Sequence, residues 1–264
     1  MTRPRFTVVT PVMNGATFVG QTIASVRAQS FEDWEYFVMD GGSKDDTVDV
    51  ALDAARGDPR IRVVSERDRG MYDGVFRGFE RGTGEVCYWI NADDMLMPWA
   101  FDVVSSYMQK TGAEWVTGTP AFWDERGRLK SVGIPRWYPR ALLRAGLFHG
   151  KALGFLQQES TFFGRGVLER VPPRRVERIR AQRLAGDFML WVELAKLTEL
   201  HTIPTVLAGF RLHESNASHD QSGYFAEIAR AGFHFPPRAV GKLMNTAFRP
   251  VGFAMARALA RRRY

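Results

Sequence analysis

The 264-residue chain is poor in cysteine and in long apolar runs. Its single cysteine, Cys87, has no partner, so a disulfide-stapled fold is excluded. No apolar run reaches the roughly 18 residues that a membrane-spanning helix needs. The first residues, MTRPRFTVVTP, lack the apolar core of a secretory signal. We therefore expect a cytoplasmic protein, and its 45% hydrophobic residues are enough for a sizeable globular core.

Several catalytic motifs are also missing. No G-x-G-x-x-G follows a predicted strand, and nothing matches G-x-x-x-x-G-K-[ST]. There is no G-x-S-x-G and no set of His and Cys at zinc-binding spacing. These absences disfavour a nicotinamide enzyme, a P-loop enzyme and a serine hydrolase.

Acidic residues are scarce in the second part of the chain. Residues 1–100 carry 11 Lys and Arg against 16 Asp and Glu, whereas residues 101–264 carry 25 against 13. Residues 231–264 contain seven Lys and Arg and no acid. An acidic half suits a metal or sugar hydroxyls, and a basic half suits an anionic partner such as phosphate, a membrane surface or nucleic acid. A solvated Arg-rich surface is the alternative reading of the same charges.

Apolar strands and amphipathic helices alternate over the first hundred residues. The predicted strands are Phe6–Thr10, Tyr36–Met39, Ile61–Val64 and Val86–Ile90, each followed by a helical pattern. This alternation predicts an α/β fold with a mostly parallel, Rossmann-like sheet flanked by helices. In such sheets ligands bind at the carboxyl ends of the strands, where the loops are polar or Gly-rich.

The second half is less regular. We expect strands at 115–118 and 129–134, an extended segment at 159–163, and a loop or loose helix at 171–183. An apolar helix begins at Asp187. The composition changes near residue 230, so we expect one domain over residues 1–230 and a helical basic extension over 231–264.

Two acidic loops follow apolar strands. Asp93 and Asp94 come after the fourth strand, where two adjacent carboxylates repel one another unless a cation is present. The alternative is a helix cap before Pro98. Asp40 follows the second strand and could accept hydrogen bonds from a nucleobase or ribose, or simply cap the βα turn.

The later candidates lie beyond residue 180. Asp187 stands at the mouth of an apolar helix, either as an N-cap or as a general base for an acceptor hydroxyl. Arg211 and His213 alternate along an extended segment, so both could face a diphosphate, with His213 also a metal-ligand candidate.

Seven segments, in this order, resemble inverting family 2 glycosyltransferases, which adopt the GT-A fold. They span residues 6–218 and are Thr10–Asn14, Asp40–Ser43 with Asp46 and Thr47, Glu66–Asp73, Asn91–Asp94, Gln158–Phe163, Gly186–Phe188 and Phe210–His213. The chain departs from the family pattern at Asn91, often an acid, at Phe76, often Asn, and at Gly186, often Glu.

The resemblance implies a role for each matching residue. Asp187 would be the catalytic base, Asp93 and His213 would meet a divalent metal, Mg²⁺ or Mn²⁺, and Gln158 and Glu159 would contact acceptor or donor sugar. The residues implied to bind the nucleotide sugar are Thr10, Pro11, Asn14, Asp40, Gly42, Asp68, Gly70, Asp93, Asp94 and Arg211.

The implied activity is sugar transfer from a nucleoside-diphosphate sugar to an acceptor hydroxyl with inversion. The nucleotide would bind the half at about 1–110 and the acceptor the half at about 111–230. The expected context is cell-surface polysaccharide or lipid-linked glycan synthesis, with a glycan or lipid-diphosphate acceptor and no nucleic-acid partner.

Two other functions stay open. A sugar-nucleotide nucleotidyltransferase would need a Gly-rich basic loop after the first strand, which Pro11–Asn14 lacks. A nucleic-acid-binding protein would explain the basic half but not the acidic loops. At the end of the chain, Leu243, Met244, Ala247, Phe248 and Val251 are expected to form an apolar face among basic residues. This face would either pack on the domain or attach the protein to the inner face of the plasma membrane.

Overall fold

The computed structural model describes residues 3–263. The strands in that range are β1 (Phe6–Val12), β2 (Trp34–Asp40), β3 (Ile61–Ser65), β4 (Val86–Trp89), β5 (Met95–Leu96), β6 (Trp115–Thr117), β7 (Ala121–Trp123), β8 (Leu129–Val132), β9 (Thr161–Gly164), β10 (His201–Thr202) and β11 (Ala208–Arg211). The helices are α1 (Val19–Arg27), α2 (Thr47–Ala55), α3 (Met71–Arg81), α4 (Ala100–Thr111), α5 (Arg140–Arg144), α6 (Arg165–Glu169), α7 (Pro173–Arg180), α8 (Gly186–Leu197), α9 (Gln221–Arg230) and α10 (Arg238–Arg263).

A seven-stranded sheet forms the centre of the molecule, in the order β10-β6-β9-β4-β1-β2-β3. Every strand runs in the same direction except β9, which is antiparallel to both of its neighbours. Val12 pairs with Asp40, and Asp40 pairs with Ser65, so the first three strands end level with one another. The chain moves from β1 to β2 on one side and returns to β4 on the other, which opens a crevice between the loops after β1 and β4.

Helices cover both faces of this sheet, as the alternating pattern predicts. On one face, Ile23 of α1 and Phe101 of α4 are fully buried in one apolar cluster. On the other face, Phe79 of α3 and Trp191 of α8 belong to a second cluster. Phe76 lies in that second cluster, so a core side chain stands where the family pattern often has Asn.

The sequence left open whether residues 171–183 form a loop or a loose helix, and in the structure this segment contains the helix α7. Asp73 of α3 holds this helix, because its fully buried carboxylate lies 2.9 Å from Arg180 of α7, 2.9 Å from Arg77 and 3.0 Å from Arg69. Burial alone would raise the pKa of Asp73, but the hydrogen bonds from Arg69 and Arg180 outweigh it and hold the pKa well below its usual range.

A small second sheet, in the order β5-β11-β7-β8, lies beside the end of β4. Because β11 pairs with β5, residues after 207 are brought next to the loop that contains Asp93 and Asp94. Across residues 3–263, no helix combines the length and apolar character that crossing a membrane requires.

Candidate active site

The loop after β2 is organised around the Asp40 carboxylate. This buried group accepts hydrogen bonds from the Gly42 N–H at 3.1 Å, the Ser43 N–H at 3.2 Å and the Ser65 hydroxyl at 2.6 Å, and the Ser43 hydroxyl also donates to it. Gly42 has φ of 95°, in the left-handed region that favours glycine. The Ser43 hydroxyl oxygen accepts the Asn14 N–H at 2.7 Å, which joins the loops after β1 and β2.

Asp68 lies across from this loop, against two glycines. A Cβ at Gly41 or at Gly74 would lie 3.0 Å from its Oδ2, so a side chain at either position would crowd the Asp68 carboxylate. The Asp68 carboxylate accepts the Gly70 N–H at 2.9 Å. Burial raises the pKa of Asp68, and the charges of Asp73 and Asp40 add smaller effects in the same direction.

Thr10 and Pro11 are buried at the end of β1. The Thr10 hydroxyl lies 2.7 Å from the Tyr36 hydroxyl, within the core. A nucleotide at this position could therefore meet the backbone of the two residues but not the Thr10 side chain.

Asp93 and His213 meet at the end of β4. Asp93 Oδ2 lies 2.8 Å from His213 Nε2 and 3.3 Å from Asn216 Nδ2. Asn216 is buried in this cluster, with its Oδ1 accepting the His213 N–H at 2.7 Å. No motif marked Asn216 as a site residue, and only its contacts show that it braces the pair.

The Asp93 and His213 side chains fit a hard divalent cation. Two adjacent ligands at about 2.1 Å from an octahedral Mg²⁺ or Mn²⁺ are about 3 Å apart, close to the separation of these two atoms. Such cations take few protein ligands, because substrate phosphates and water complete the shell. Within residues 3–263 no cluster of three or more His, Cys, Asp or Glu side chains is placed to hold a metal.

Asp94 points away from the surface and is fully buried. Its Oδ1 accepts the Arg211 N–H at 2.9 Å, and its Oδ2 lies 3.4 Å from Asn91 Nδ2. Burial raises the pKa of Asp94 well above its ordinary value, and the charges of Asp93 and Glu159 raise it further.

Arg211 is also fully buried, and it fastens β11 to the loop after β4. Its Nε donates to the Asp93 carbonyl at 2.6 Å, and its Nη1 to Gln21 Oε1 at 2.9 Å and the Glu125 carbonyl at 3.0 Å. Among the described residues its Nη2 finds no partner. The diphosphate contact expected of Arg211 stays a prediction, and that nitrogen is the atom that would make it.

Gln158 and Glu159 form a 3₁₀ turn just before β9, beside the end of β4. The Gln158 amide donates to the Trp89 carbonyl at 2.6 Å, and Glu159 is only 3% exposed. Burial raises the pKa of Glu159 to about 8, and the charges of Asp187 and Asp93 add to that rise. With a pKa of about 8, Glu159 is mainly protonated at neutral pH.

Several buried oxygens around this turn have no hydrogen-bond partner among the described residues. They are Asn91 Oδ1, Gln157 Oε1, Gln158 Oε1 and Glu159 Oε1. Buried polar atoms are nearly always paired in folded proteins, so these four atoms would take their partners from water or from a ligand. Sugar hydroxyls are donors of that kind.

Asp187 begins the apolar helix α8 and remains partly exposed. Its Oδ1 accepts the Phe188 N–H at 2.7 Å and lies 3.2 Å from the Tyr72 hydroxyl. Burial raises the pKa of Asp187 to about 6, and these hydrogen bonds limit the rise. A carboxylate with this pKa is ionised at neutral pH and is a stronger base than an ordinary aspartate.

Tyr72 explains one departure from the family pattern. A Cβ at Gly186 would lie 2.6 Å from the Tyr72 ring, so the larger residue common at this position could not fit beside it. The Tyr72 hydroxyl also lies 3.0 Å from the Leu184 carbonyl, so its one proton is shared between that oxygen and Asp187. The sequence motif contained Tyr72 but gave it no role.

Glu227 is a second residue that the sequence did not single out. Its carboxylate on α9 accepts the N–H groups of Arg183, Leu184 and Ala185 at 3.1, 3.0 and 2.8 Å. It thus holds the backbone that leads into Asp187. It is the last acid in the chain, yet no spacing rule connects it with a loop more than 40 residues earlier.

An aromatic wall stands on the Asp187 side of the cleft. The Phe155 ring is 50% exposed, and its centroid lies 6.0 Å from that of Tyr224. Tyr224 packs against the apolar cluster that contains Phe188, the residue after Asp187. A large apolar ring left half exposed near this cluster suits a ligand with an apolar face.

Sequence comparison finds relatives over most of this region. The profile of the family described as Glycosyl transferase family 2 matches residues 7–171. A PGL/p-HBAD biosynthesis glycosyltransferase of Mycobacterium bovis is 33% identical over 97 residues, which is 36% of this chain and 38% of that protein. The putative glycosyltransferase EpsH of Bacillus subtilis is 26% identical over 161 residues, 59% of this chain and 46% of that protein. The matches therefore span less than half the length of these relatives.

Solved structures share the fold. TarS of S. aureus in complex with UDP-GlcNAc has a TM-score of 0.64 at 13% identity, over 96% of this chain and 74% of that chain. The mannosyltransferase PcManGT of Pyrobaculum calidifontis, in complex with GDP-Man and Mn²⁺, has a TM-score of 0.60 at 19% identity, over 100% and 74%. The expected GT-A fold is confirmed.

Proposed function

Because the chain belongs to glycosyl transferase family 2, we propose that it transfers a sugar from a nucleoside diphosphate to an acceptor hydroxyl, with inversion at the anomeric carbon. The observation that carries this proposal is the meeting of the loops after β2, β3 and β4 at one edge of the sheet, where Asp93 pairs with His213 and Tyr72 contacts Asp187. Asp187, whose pKa is raised, would serve as the base, and the pair of Asp93 and His213 would serve the diphosphate side.

The donor would occupy the side of the cleft formed by the first three strands. Asp40 and Asp68 flank the glycine loop where the nucleobase and ribose would lie. The diphosphate would then reach Asp93 and His213, and the unpaired oxygens near Gln158 would accept hydrogen bonds from the sugar hydroxyls. The structural relatives, bound to UDP-GlcNAc and GDP-Man, support a sugar nucleotide as the class of donor.

Asp93 and His213 would hold the divalent cation, with Asn216 bracing both side chains. When bound, Mg²⁺ or Mn²⁺ supplies Lewis-acid stabilisation of the negative charge on the diphosphate. Mn²⁺ in the complex of PcManGT supports this choice of metal.

The acceptor would approach past Phe155 and Tyr224. Asp187 takes the proton of the acceptor hydroxyl as that oxygen forms its bond to the anomeric carbon. The bond from that carbon to the diphosphate breaks on the opposite face, and this arrangement inverts the configuration. Glu159, protonated at neutral pH, could donate a hydrogen bond to a sugar oxygen without competing as a base.

The likeness to a PGL/p-HBAD biosynthesis glycosyltransferase supports a biosynthetic role, and we propose an acceptor in cell-surface polysaccharide or lipid-linked glycan synthesis. We place the reaction on the cytoplasmic side of the membrane.

A panel of sugar nucleotides, with and without Mn²⁺, tests this function by thermal shift and by product analysis. We expect one donor to raise the Tm more with Mn²⁺ than without it, and to release a nucleoside diphosphate during turnover. Consumption of added pyrophosphate, with formation of a nucleoside triphosphate and a sugar 1-phosphate, would instead indicate a nucleotidyltransferase. Proton NMR of the first product gives the anomeric configuration, and retention would refute the role of Asp187 in direct displacement.

A further inference from the structure

The helix α10 lies along the body of the protein with one fixed face inward. Phe248 stacks on Trp137, with 6.4 Å between ring centroids, and meets Phe148 at 6.0 Å. The Trp137 N–H donates to the Gly252 carbonyl at 3.0 Å. A Cβ at Gly241 would lie 1.9 Å from the Lys151 carbonyl oxygen, so the helix touches the backbone there. These contacts set the rotation of the helix about its own axis.

The prediction that Leu243, Met244, Ala247, Phe248 and Val251 form one apolar face is therefore wrong in part. Met244 and Phe248 turn toward the body, because each packs against the core cluster on that side. Leu243, Ala247 and Val251 are exposed instead. The sequence contained two apolar stripes, and pattern alone could not separate the one that packs from the one that does not.

The outward stripe is a continuous apolar ridge. Val240 is 46% exposed, Leu243 70% and Val251 52%. The exposed residues of the ridge are Val240, Leu243, Ala247, Val251, Ala254 and Ala258. At about 100° of rotation per residue they fall within an arc of about 80°, so they form one stripe along the helix.

A basic flank covers the polar side of the same helix. Its exposed members are Arg238, Lys242, Arg249 and Arg257. By the same rotation Arg257 lies about 40° from Leu243, at the edge of the ridge, and Lys242, Arg249 and Arg238 lie about 100° to 140° from it, on the side away from the ridge. Residues 231–264 contain no acid that could neutralise them.

We propose that this outward face of α10 binds an anionic lipid surface, with the ridge in the interface and the basic flank against the headgroups. An amphipathic helix of this kind lies in the plane of the membrane, and its affinity combines buried apolar area with attraction to anionic lipid. A second copy of the chain fits less well, because pairing two such helices would bring together two segments that each carry seven Lys and Arg and no acid.

The position of α10 also has a consequence that rests on the proposed function. Gly241 touches Lys151, in the loop that leads to Phe155 on the acceptor side of the cleft. A lipid-linked acceptor would therefore be presented near Asp187 by the surface that holds α10. Membrane binding itself needs no catalytic activity, so the two proposals can fail separately.

Flotation of the full chain with vesicles tests the lipid surface. One set contains phosphatidylcholine and phosphatidylglycerol, and the other contains phosphatidylcholine alone. We expect the wild-type protein to float with the anionic vesicles only, and salt to weaken the binding. Leu243→Asp with Val251→Asp should lower the partition coefficient by at least about tenfold, and Lys242→Glu with Arg249→Glu should do the same.

Leu129→Asp with Val132→Asp is the matched control, because it places two charges on exposed apolar positions of β8, 55% and 48% exposed. This variant should float like the wild type, and unchanged Tm values in all variants would show that they are folded. Wild-type protein that stays unbound, or α10 variants that float equally, would overturn the proposal. A dimer of the wild type that Leu243→Asp with Val251→Asp dissociates would assign the ridge to a second copy and overturn it as well.

Discussion

Asp187 is subject to two opposing effects, burial that favours its neutral form and hydrogen bonds that favour its charged form. Its carboxylate lies among protein groups that raise its pKa to about 6, yet it keeps hydrogen bonds from Phe188 and Tyr72 that stabilise the charged form. Stronger burial would leave it protonated and inactive as a base, and full exposure would leave it too weak. The groups that face it from neighbouring elements are Tyr72 of α3, Tyr224 and Glu227 of α9, and Glu159 before β9.

This pKa predicts an acid limb in the pH profile. Below a pH of about 6 the base is protonated, so kcat should fall as the pH decreases through that value. The Tyr72 hydrogen bond lowers the pKa of Asp187, so Tyr72→Phe should move the limb to higher pH. Tyr107→Phe is the control, since Tyr107 lies on α4 on the opposite face of the sheet. A limb that Tyr72→Phe leaves in place would show that another group titrates.

Phe155 gives a prediction for the acceptor. Phe155→Ala removes the exposed ring, and we expect the acceptor KM to rise about fivefold to tenfold because a stacking contact is lost. The donor KM should stay constant, since the ring is on the Asp187 side of the cleft. Leu52→Ala, at a similarly exposed apolar position on α2, should change neither constant. Equal changes in both KM values would contradict an acceptor role.

The sequence predicted several site residues but few of their partners. Asp40, Asp93 and Asp187 each follow or begin a clear apolar element, so their positions were accessible from pattern and family resemblance. Tyr72 and Glu227 act through contacts between distant segments, and such contacts leave no local pattern. The hydrogen bonds of the buried Arg211 could not be predicted for the same reason.

Among the elements, the start of α8 depends on α9. Glu227→Ala would leave three N–H groups of residues 183–185 without their acceptor, at a cost of about 1–3 kcal/mol. Urea unfolding should show this loss of stability. Because the backbone before Asp187 is no longer held by Glu227, kcat should fall by a larger factor than the donor Kd changes. Glu169→Ala removes an exposed acid from α6 and should leave both quantities unchanged. Unaltered stability of Glu227→Ala would mean that water replaces the carboxylate.

Element prediction succeeded where apolar runs were long. The four strands β1 to β4 are rich in apolar and β-branched residues and lie between turn residues, and each is found where the pattern placed it. The short strands β5, β7 and β10 were not predicted, and β11 was predicted only as part of an extended segment, because two to four residues carry no measurable periodicity. The helix α7 was ambiguous because only Val176 and Ile179 mark its inner face. Its ion pair with Asp73 joins residues that are far apart in the sequence, so no local pattern announces it.

At the scale of the whole molecule, topology makes the site. The switch in strand order between β1 and β4 brings the loops at 40–43 and 91–94 to one edge of the sheet. The antiparallel strand β9 then places Glu159 beside β4, and α8 places Asp187 against Tyr72 of α3. Local sequence predicted a mostly parallel sheet from the crossover pattern of the first four strands. It predicted neither their order in the sheet nor the insertion of β9, because both depend on pairing between distant segments.

The central claim is that donor binding and proton removal are carried by different acids in one cleft. Calorimetry with the donor and Mn²⁺, together with turnover, tests it on Asp187→Asn, Asp93→Ala and the control Asp49→Asn, an exposed acid on α2. We expect Asp187→Asn to keep the donor Kd within about threefold while kcat falls by about 10²–10⁴. Asp93→Ala should weaken Mn²⁺-dependent donor binding by at least about tenfold, and the control should match the wild type. An active Asp187→Asn enzyme, or an Asp93→Ala protein that binds the donor normally, would contradict the account.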